Sequence, residues 1–197
     1  MKTPLLIGIT GGIGSGKTAV SQLLRECGYL VYDADVEARR LQHDNEIVRQ
    51  KTTELFGSEI YDTDGVLNRP LLAKTVFNDA AKLRRLTDIV HPALKIDFEK
   101  WVTKYSENRL LFMESAILFE SGFYTFFDKT VVVAASEETR IERVMRRDNI
   151  TRKQVLKRIV QQLPEKELLA RADYIIRTDD SQLLKEKIEQ LLNCIFC

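Results

Sequence analysis

The sequence lacks any apolar segment long enough to cross a bilayer, and its longest apolar runs, such as residues 131–135, have only the length of a buried strand. It also lacks a charge bias, because 30 lysines and arginines face 29 aspartates and glutamates and leave a net charge of +1. Bulk charge therefore favours neither a nucleic-acid partner nor a membrane partner. The short apolar run at the amino terminus leads directly into a glycine-rich stretch, which is not the pattern of a secretory signal.

Cysteine and histidine are scarce, with three and two copies respectively. So few cysteines in a chain of this size are typical of a reducing compartment, and we expect a cytoplasmic protein. Two of the cysteines form the pair Cys194-x-x-Cys197 near the end of the chain. The pair lacks the further ligands of a structural zinc site and the context of a thioredoxin-like redox motif. We interpret it as part of a tail.

The dominant motif is the stretch Gly-Gly-Ile-Gly-Ser-Gly-Lys-Thr at residues 11–18, which fits the phosphate-binding pattern of Gly, four free positions, Gly-Lys and a hydroxyl residue. An apolar run at residues 5–9 precedes it, and apolar residues at helical spacing follow it. Strand, glycine loop and helix is the arrangement that phosphate binding requires. In a chain of 197 residues with 44% hydrophobic content, this predicts one α/β domain with an insertion.

The loop predicts a phosphate-binding site with an associated Mg²⁺ ion. Glycines allow successive backbone N–H groups to turn inward around a phosphate, and the following helix directs its positive dipole end at the same anion. Lys17 is expected to reach the outer phosphates, and the Thr18 hydroxyl is expected to bind magnesium. The residues expected to contact the nucleotide are Gly12, Ile13, Gly14, Ser15, Gly16, Lys17, Thr18 and Ala19.

The same stretch also matches the looser dinucleotide fingerprint, as Gly14-x-Gly16-x-x-Ala19, with Asp33 or Asp35 at the distance of a ribose contact. In a dinucleotide site, however, the first glycine directly follows the strand. Four residues separate the apolar run from Gly14, and the Lys-Thr pair has no role in such a site. The phosphate loop is the favoured interpretation.

Acidic residues follow two further predicted strands. The second strand, at residues 29–32, ends in Asp33-Ala34-Asp35, and the third, at residues 109–113, is followed by Glu114. Ligands of an open parallel sheet lie at the carboxyl ends of its strands, so a functional role is favoured for Asp33 and a magnesium role is a candidate for Glu114. Alternatively, Asp33 or Asp35 caps a helix that begins near Val36, and Glu114 is a plain loop carboxylate.

The segment 36–107 has mostly helical patterns and no buried-type strand, which predicts a helical insertion that shapes an acceptor site. Within it, Asp64-Gly65 predicts a tight turn, and Asn68 marks a helix start. His91-Pro92 is expected where a helix ends or kinks. His91 alone is more typical of capping or packing than of catalysis. Strands at residues 130–134 and 172–176 complete a predicted five-stranded parallel sheet.

Basic residues concentrate after the fourth strand. Between Arg140 and Arg158 there are eight basic and two acidic residues, on helices predicted to begin after Ser136 and after the capping box of Thr151 and Gln154. Such a cluster is often only a solvated helix face. Next to a phosphate loop, it is also where a lid brings arginines onto transferring phosphates, and we favour an arginine-rich lid over residues 137–162.

Two classes of phosphate-loop protein compete. A nucleotide switch needs a guanine-reading sequence such as Asn-Lys-x-Asp, which the chain lacks, and the chain is short for a motor. A kinase for a small acceptor needs an acceptor domain and a closing lid, which match the helical insertion and the arginine-rich segment. Kinase is therefore the favoured class.

The chain closely resembles the dephospho-CoA kinase family of P-loop kinases along nearly its whole length. The motifs that carry the resemblance are the glycine loop with Thr10 before it, Asp33-Ala34-Asp35, His91-Pro92, residues 117–120, Arg143 with Arg147-Asp148, and residues 172–176. The resemblance implies ATP-dependent phosphorylation of the ribose 3′-hydroxyl of dephospho-CoA, the last step of coenzyme A synthesis. Another small-molecule or nucleoside kinase is the alternative. The chain departs from the family pattern at Ala116, usually proline, and at residues 176–178.

The resemblance also implies a domain division and residue roles. A nucleotide-binding core covers residues 1–35, 108–136 and 163–197, around a CoA-binding insertion at 36–107 and the lid. The only substrate partner implied is the small molecule dephospho-CoA, without nucleic acid or membrane, and a monomer is favoured. The catalytic candidates are Lys17, Asp33, Arg140, Arg143 and Arg147. The substrate-binding candidates are Thr10, Asp33, Asp35, His91, Leu118 and Glu120, and the metal-binding candidates are Thr18 and Glu114.

Overall fold

The computed structural model describes residues 3–77, 79–180 and 182–196. Its centre is a sheet of five parallel strands, which confirms the predicted fold class. The strands are β1 (Leu5–Thr10), β2 (Leu30–Asp33), β3 (Leu110–Glu114), β4 (Lys129–Ala134) and β5 (Tyr174–Arg177). Their order across the sheet is β2-β3-β1-β4-β5, so the strand that precedes the glycine loop is the central one.

The described residues divide into two compact units. One unit runs through Asp33 and resumes at Ser106, and the other covers Ala34–Tyr105. The sheet unit contains helices α1 (Lys17–Glu26), α6 (Glu137–Asp148), α7 (Arg152–Ile159), α8 (Glu165–Arg171) and α9 (Leu184–Phe196). The helical unit contains α2 (Ala34–Asp44), α3 (Glu46–Phe56), α4 (Arg69–Phe77) and α5 (Ala80–Lys104).

Side chains alternate between the two faces of the sheet along each strand, and both faces carry buried residues. Ile7 and Ile9 on β1 are fully buried in a cluster with Val20 of α1 and Ile188 of α9. Gly8, between them, points to the opposite face. On that face Val132 packs with Phe119 and with Leu168 of α8. Both faces of a parallel sheet are normally covered in this way, so its accessible parts are the loops at the two ends of the strands.

The helical unit forms the local structures that its sequence predicts. Leu71 donates its backbone N–H to the Asn68 side chain at 3.2 Å, at the start of α4. Tyr61 and Leu67 form an isolated antiparallel bridge around the tight turn, which Gly65 closes with a 3.0 Å bond to the Asp62 carbonyl. Trp101 and its i+4 neighbour Tyr105 pack ring to ring at 5.3 Å.

Two of the boundaries that differ from the sequence prediction lie in the helical unit. Helix α5 does not end at His91-Pro92 but continues to Lys104. Proline removes one backbone hydrogen bond, and buried residues on either side, Val90 and Leu94, pack the helix along its length and outweigh that local loss. The helix after β2 begins at Ala34 rather than near Val36. Among the described residues, no helix is long and apolar enough to span a membrane.

Candidate active site

The phosphate loop connects the carboxyl end of β1 to the first turn of α1. Gly14 and Gly16 have φ angles of +77° and +94°, and Gly16 is the N-cap residue of α1. Along the loop, residues with left-handed backbone conformation alternate with residues of ordinary conformation, and this pattern points N–H groups toward one anion position. The first turn of α1 adds further N–H groups that have no partner inside the helix. The loop therefore has the backbone geometry of an anion site.

Space around the two glycines is as restrictive as their backbone. A Cβ at Gly14 would lie 2.5 Å from the carbonyl oxygen of Arg140, and one at Gly16 would lie 3.0 Å from the hydroxyl of Thr178. Both positions therefore require glycine for two reasons, the positive φ and the close approach of another element. Helix α6 and the end of β5 are packed directly against the loop.

Lys17, the first residue of α1, lies over the loop that precedes it. Its Nζ donates to the carbonyl of Gly11 at 2.7 Å and to that of Gly12 at 3.4 Å. This places the ammonium group beside the loop, where the charge of bound phosphates would be. Thr18 and Ala19 follow in the first turn of α1 with exposed side chains.

Two of the three candidate arginines contact the loop. The Arg140 side chain is only 7% exposed, donates from Nε to the Ile13 carbonyl at 3.0 Å and lies 3.5 Å from Glu165. Arg143 donates from Nη1 to the Gly14 carbonyl at 3.4 Å. The alternative interpretation of the arginine cluster, a solvated helix face, therefore does not apply to these two residues.

Arg147 has a different environment. Its side chain is 63% exposed, and it forms an ion pair with the adjacent Asp148, which also pairs with Arg158 on α7. The hydrogen bond from Arg147 is the main cause that lowers the pKa of Asp148 below its ordinary value. A second ion pair, between Arg152 of α7 and Glu138 of α6, further joins the two helices.

The two acidic candidates of the sheet are neighbours. Asp33 and Glu114 are register partners at the carboxyl ends of β2 and β3, and Glu114 also pairs in register with Ile9 of β1. Side chains of register partners in a parallel sheet stand on the same face, with strands about 4.8 Å apart. Glu114 is 6% exposed and Asp33 is half-buried. A pair of carboxylates beside a phosphate loop has the hard oxygen ligands that Mg²⁺ prefers.

The remaining candidates of the sheet unit differ in accessibility. Thr10 and Leu118 are fully buried, and Leu118 fills the space beside Gly8. Their side chains therefore present no surface to a ligand in this structure. Glu120 is exposed and accepts a hydrogen bond of 3.4 Å from the backbone of Leu163.

Asp35 and His91 belong to the helical unit. Asp35 is exposed in the first turn of α2, where a carboxylate interacts favourably with the helix dipole. His91 is half-buried on α5. Burial lowers its pKa below the ordinary histidine value, although the charge of Asp88 opposes the shift.

Two residues outside the sequence-predicted site also contact the loop. Gln162, after α7, accepts the N–H of Ile13 at 2.7 Å. Thr178, after β5, donates its hydroxyl to the carbonyl of Ser15 at 2.6 Å. Thr178 could have been found by the rule that ligand sites lie at the carboxyl ends of parallel strands, whereas Gln162 has no distinguishing pattern.

Comparison with known proteins gives a consistent result. The sequence model of the family described as dephospho-CoA kinase matches residues 5–184. A dephospho-CoA kinase of Salinibacter ruber is 42% identical over 175 residues, which cover 88% of each chain. One of Bacteroides fragilis is 37% identical over 190 residues, 96% of this chain and 92% of that protein. The crystal structure of TT1252 from Thermus thermophilus superposes with a TM-score of 0.86 at 36% identity, covering 99% of this chain and 97% of that one.

Proposed function

This chain belongs to the dephospho-CoA kinase family, and from that premise we propose that it transfers the γ-phosphoryl group of ATP to the ribose 3′-hydroxyl of dephospho-CoA. The products are coenzyme A and ADP, and the reaction is the final step of coenzyme A synthesis. The observation that carries the proposal is the match of the family model over residues 5–184, which includes the phosphate loop and every candidate residue of the site.

The phosphate loop supports the nucleotide part of this proposal. Backbone N–H groups of the loop and of the first turn of α1 bind the phosphates, and the Lys17 ammonium neutralises charge on the β- and γ-phosphates as the bond to the leaving group loosens. Mg²⁺ would be held by the Thr18 hydroxyl and the buried Glu114 carboxylate, and it would supply further neutralisation of phosphate charge. The exposed hydroxyl of Thr18 at the start of α1 fits this role.

The acceptor is oriented by Asp33. Its position at the carboxyl end of β2, in the same sheet as the phosphate loop, supports a hydrogen bond from the ribose 3′-hydroxyl to its carboxylate. The helical insertion at residues 36–107 binds the CoA portion of the substrate. Asp35, His91 and Glu120 contribute side-chain contacts, whereas the buried Thr10 and Leu118 would contribute through their backbone or by shaping the wall.

Residues 137–162 act as the lid that carries arginines to the phosphates. Arg140 and Arg143 already lie on the loop through the Ile13 and Gly14 carbonyls. From there each guanidinium stabilises negative charge that develops on the transferring group. The exposed Arg147 reaches the phosphates only when the segment closes.

A coupled ADP-release assay tests the proposed reaction. Dephospho-CoA is compared with adenosine and shikimate as acceptors, and the product is checked as coenzyme A in a one-to-one ratio with ADP. We expect turnover with dephospho-CoA only, and a fall by orders of magnitude in folded Lys17→Ala protein. Preferred turnover of adenosine would support the alternative of a nucleoside kinase, and near-normal turnover by Lys17→Ala would contradict the role of the loop.

The protein works as a cytoplasmic monomer in this proposal. The low cysteine content and the free, exposed thiols of Cys27 and Cys194 support the cytoplasmic location; Cys197 lies outside the described residues. Light scattering coupled to gel filtration, with and without ATP and dephospho-CoA, tests the oligomeric state.

A further inference from the structure

Thr178 lies directly after β5, at the edge of the sheet that carries the phosphate loop. Its backbone N–H donates to the Ala134 carbonyl at 2.9 Å, which extends the pairing of β4 and β5 by one residue. The residue is 2% exposed. The next residue, Asp179, accepts the backbone N–H of Ser136 at 2.7 Å and so fixes the start of α6 as well. Thr178 is thus held by the sheet and not by the loop that it contacts.

The directions of the Thr178 hydrogen bonds follow from the chemistry of the partners. Arg143 Nη1 lies 2.8 Å from the Thr178 hydroxyl, and the Ser15 carbonyl oxygen lies 2.6 Å from it. A guanidinium only donates and a carbonyl only accepts, so the hydroxyl must accept from Arg143 and donate to Ser15. Arg143 Nη2 also donates to the Thr178 carbonyl at 2.6 Å. Arginine, threonine and loop therefore form one chain of hydrogen bonds.

The bond to Ser15 sets the orientation of a loop peptide. In a trans peptide the C=O and the following N–H point in opposite directions, and the described chain contains no cis peptide. Because the Ser15 carbonyl points to Thr178, the Gly16 N–H points away from it, to the other side of the loop. Gly16 accepts many backbone conformations, so this peptide would otherwise have little resistance to flipping.

We propose that Thr178 is a positioning residue for nucleotide binding: its hydroxyl holds the Ser15–Gly16 peptide with its N–H available to a phosphate, and it holds Arg143 against the loop. The proposal rests on the phosphate loop as the nucleotide site of the proposed kinase. It assigns a role to a residue outside the glycine motif, 163 residues away from Ser15 in the chain.

Binding of a fluorescent ADP analogue to the purified full chain tests the proposal without dephospho-CoA. Thr178→Ala removes the hydroxyl and the methyl group, and Thr178→Ser restores only the hydroxyl. Thr130→Ala is the matched control, because Thr130 is also a buried, hydrogen-bonded threonine of the sheet unit but lies at the start of β4. We expect Thr178→Ala to weaken ADP binding by about tenfold or more, Thr178→Ser to recover most of the affinity, and Thr130→Ala to bind normally.

A spectroscopic measurement reports on the peptide itself. The sequence contains two Ser-Gly pairs, Ser15-Gly16 and Ser121-Gly122. Labelling of serine carbonyl carbon and glycine nitrogen therefore selects two amide signals, and Gly122 is the internal reference. We expect Thr178→Ala to shift the Gly16 signal in the free protein and to reduce its response to ADP, while Gly122 stays unchanged.

Each result bears on the proposal. Wild-type ADP affinity together with an unmoved Gly16 signal in Thr178→Ala would overturn it, and so would equal losses in the alanine and serine variants. If Thr178→Ala does not fold, the isosteric Thr178→Val is used with the same measurements. Failure of the wild-type protein to phosphorylate dephospho-CoA would refute the proposed reaction while leaving these binding results valid.

Discussion

The side-chain oxygen of Gln162 accepts a hydrogen bond of 2.7 Å from the backbone N–H of Ile13. The bond joins the segment that follows α7 to the phosphate loop. The Ile13 side chain makes a second connection, because it packs against Ile141 and Val144 of α6 and Val155 of α7. A polar and an apolar contact at one loop residue thus couple the candidate lid to the place where phosphates would bind.

We expect Gln162→Glu to weaken ADP binding, because the variant places a carboxylate where the neutral amide contacts the loop. At low ionic strength the loss should be about tenfold or more, and added salt should reduce it. Titration of a fluorescent ADP analogue at two salt concentrations measures the effect. Gln161→Glu is the control, since it makes the same charge change at an exposed neighbour. Equal ADP affinities of the two variants would contradict the inference that the Gln162 side chain lies next to the bound phosphates.

Alanine substitutions at Gly14 and Gly122 would distinguish the cost of a left-handed backbone from the cost of a steric clash. Their φ angles are +77° and +76°, but only Gly14 has atoms within 4 Å of an added Cβ. We expect Gly122→Ala to lose about 1 kcal/mol of folding free energy, from the left-handed backbone alone. Gly14→Ala should lose more and should also lose ADP binding, because the new methyl group displaces the Arg140 backbone. Thermal unfolding and ADP titration measure both effects, and an equal loss of stability with normal binding would contradict this account.

The sequence predicted the parts of the protein that depend on local pattern. The glycine loop follows from eight consecutive residues, and the strands follow from short apolar runs next to turn residues. The acidic residues Asp33 and Glu114 could be placed on the same side of the sheet, because the carboxyl ends of parallel strands lie together. These features require no knowledge of which distant residues meet.

The contacts that shape the loop could not be predicted in the same way. Arg140 lies 127 residues from Ile13 in the chain, and Thr178 lies 163 residues from Ser15. The strand-end rule could have marked Thr178 as a site residue, but no periodicity or spacing rule shows which loop residue it contacts. The arginine cluster alone likewise did not indicate which of its members are buried. Of the two alternatives at His91-Pro92, an end or a kink, the end of the helix was wrong for a related reason, since tertiary packing along α5 outweighs the local effect of proline.

Ligand binding should slow the hydrogen exchange of backbone amides more in one part of the candidate lid than in the other. In the first half of α6, Arg140 and Ile141 are buried, so amides there should already exchange slowly in the free protein. We expect ATP and dephospho-CoA together to slow hydrogen exchange mainly in α7 and residues 160–164. Mass spectrometry of peptic fragments measures this, with β4 as the internal reference. Identical exchange in α7 with and without ligands would contradict a closing lid.

His91 should make stability fall in mild acid. Its pKa is lowered in the folded protein by burial, so below the unfolded value of about 6.5 the unfolded chain binds more protons and is favoured. The loss continues until the pH passes below the folded pKa. Urea unfolding of wild type and His91→Gln at pH 8 and pH 5.5 tests this, and the variant should show the smaller drop. His43→Gln is the control for loss of an exposed histidine. An unchanged drop in His91→Gln would contradict the assignment.

Asp33→Asn and Glu114→Gln should separate acceptor alignment from magnesium binding at two adjacent positions of the sheet edge. Each substitution preserves the shape of its side chain but removes the charge and most of the ability to accept a proton. If Asp33 aligns the ribose hydroxyl, the asparagine variant should lose turnover by orders of magnitude, while its affinities for ATP and dephospho-CoA and its Mg²⁺ requirement change little. The hydroxyl proton leaves late in a loose phosphoryl-transfer transition state, so Asp33 would orient the hydroxyl first and receive its proton afterwards, and the asparagine amide is a far weaker acceptor for that proton.

Glu114→Gln should show the opposite pattern, with a raised Mg²⁺ concentration at half-maximal rate and substantial recovery of turnover when Mg²⁺ is in excess. Steady-state kinetics over a range of Mg²⁺ concentrations, with thermal unfolding of both variants as a check on folding, distinguishes the two roles. If Asp33→Asn keeps its turnover but needs more Mg²⁺, then Asp33 is a metal ligand and not the aligning base. If it only unfolds more easily, its carboxylate serves the fold at the junction of β2 and α2.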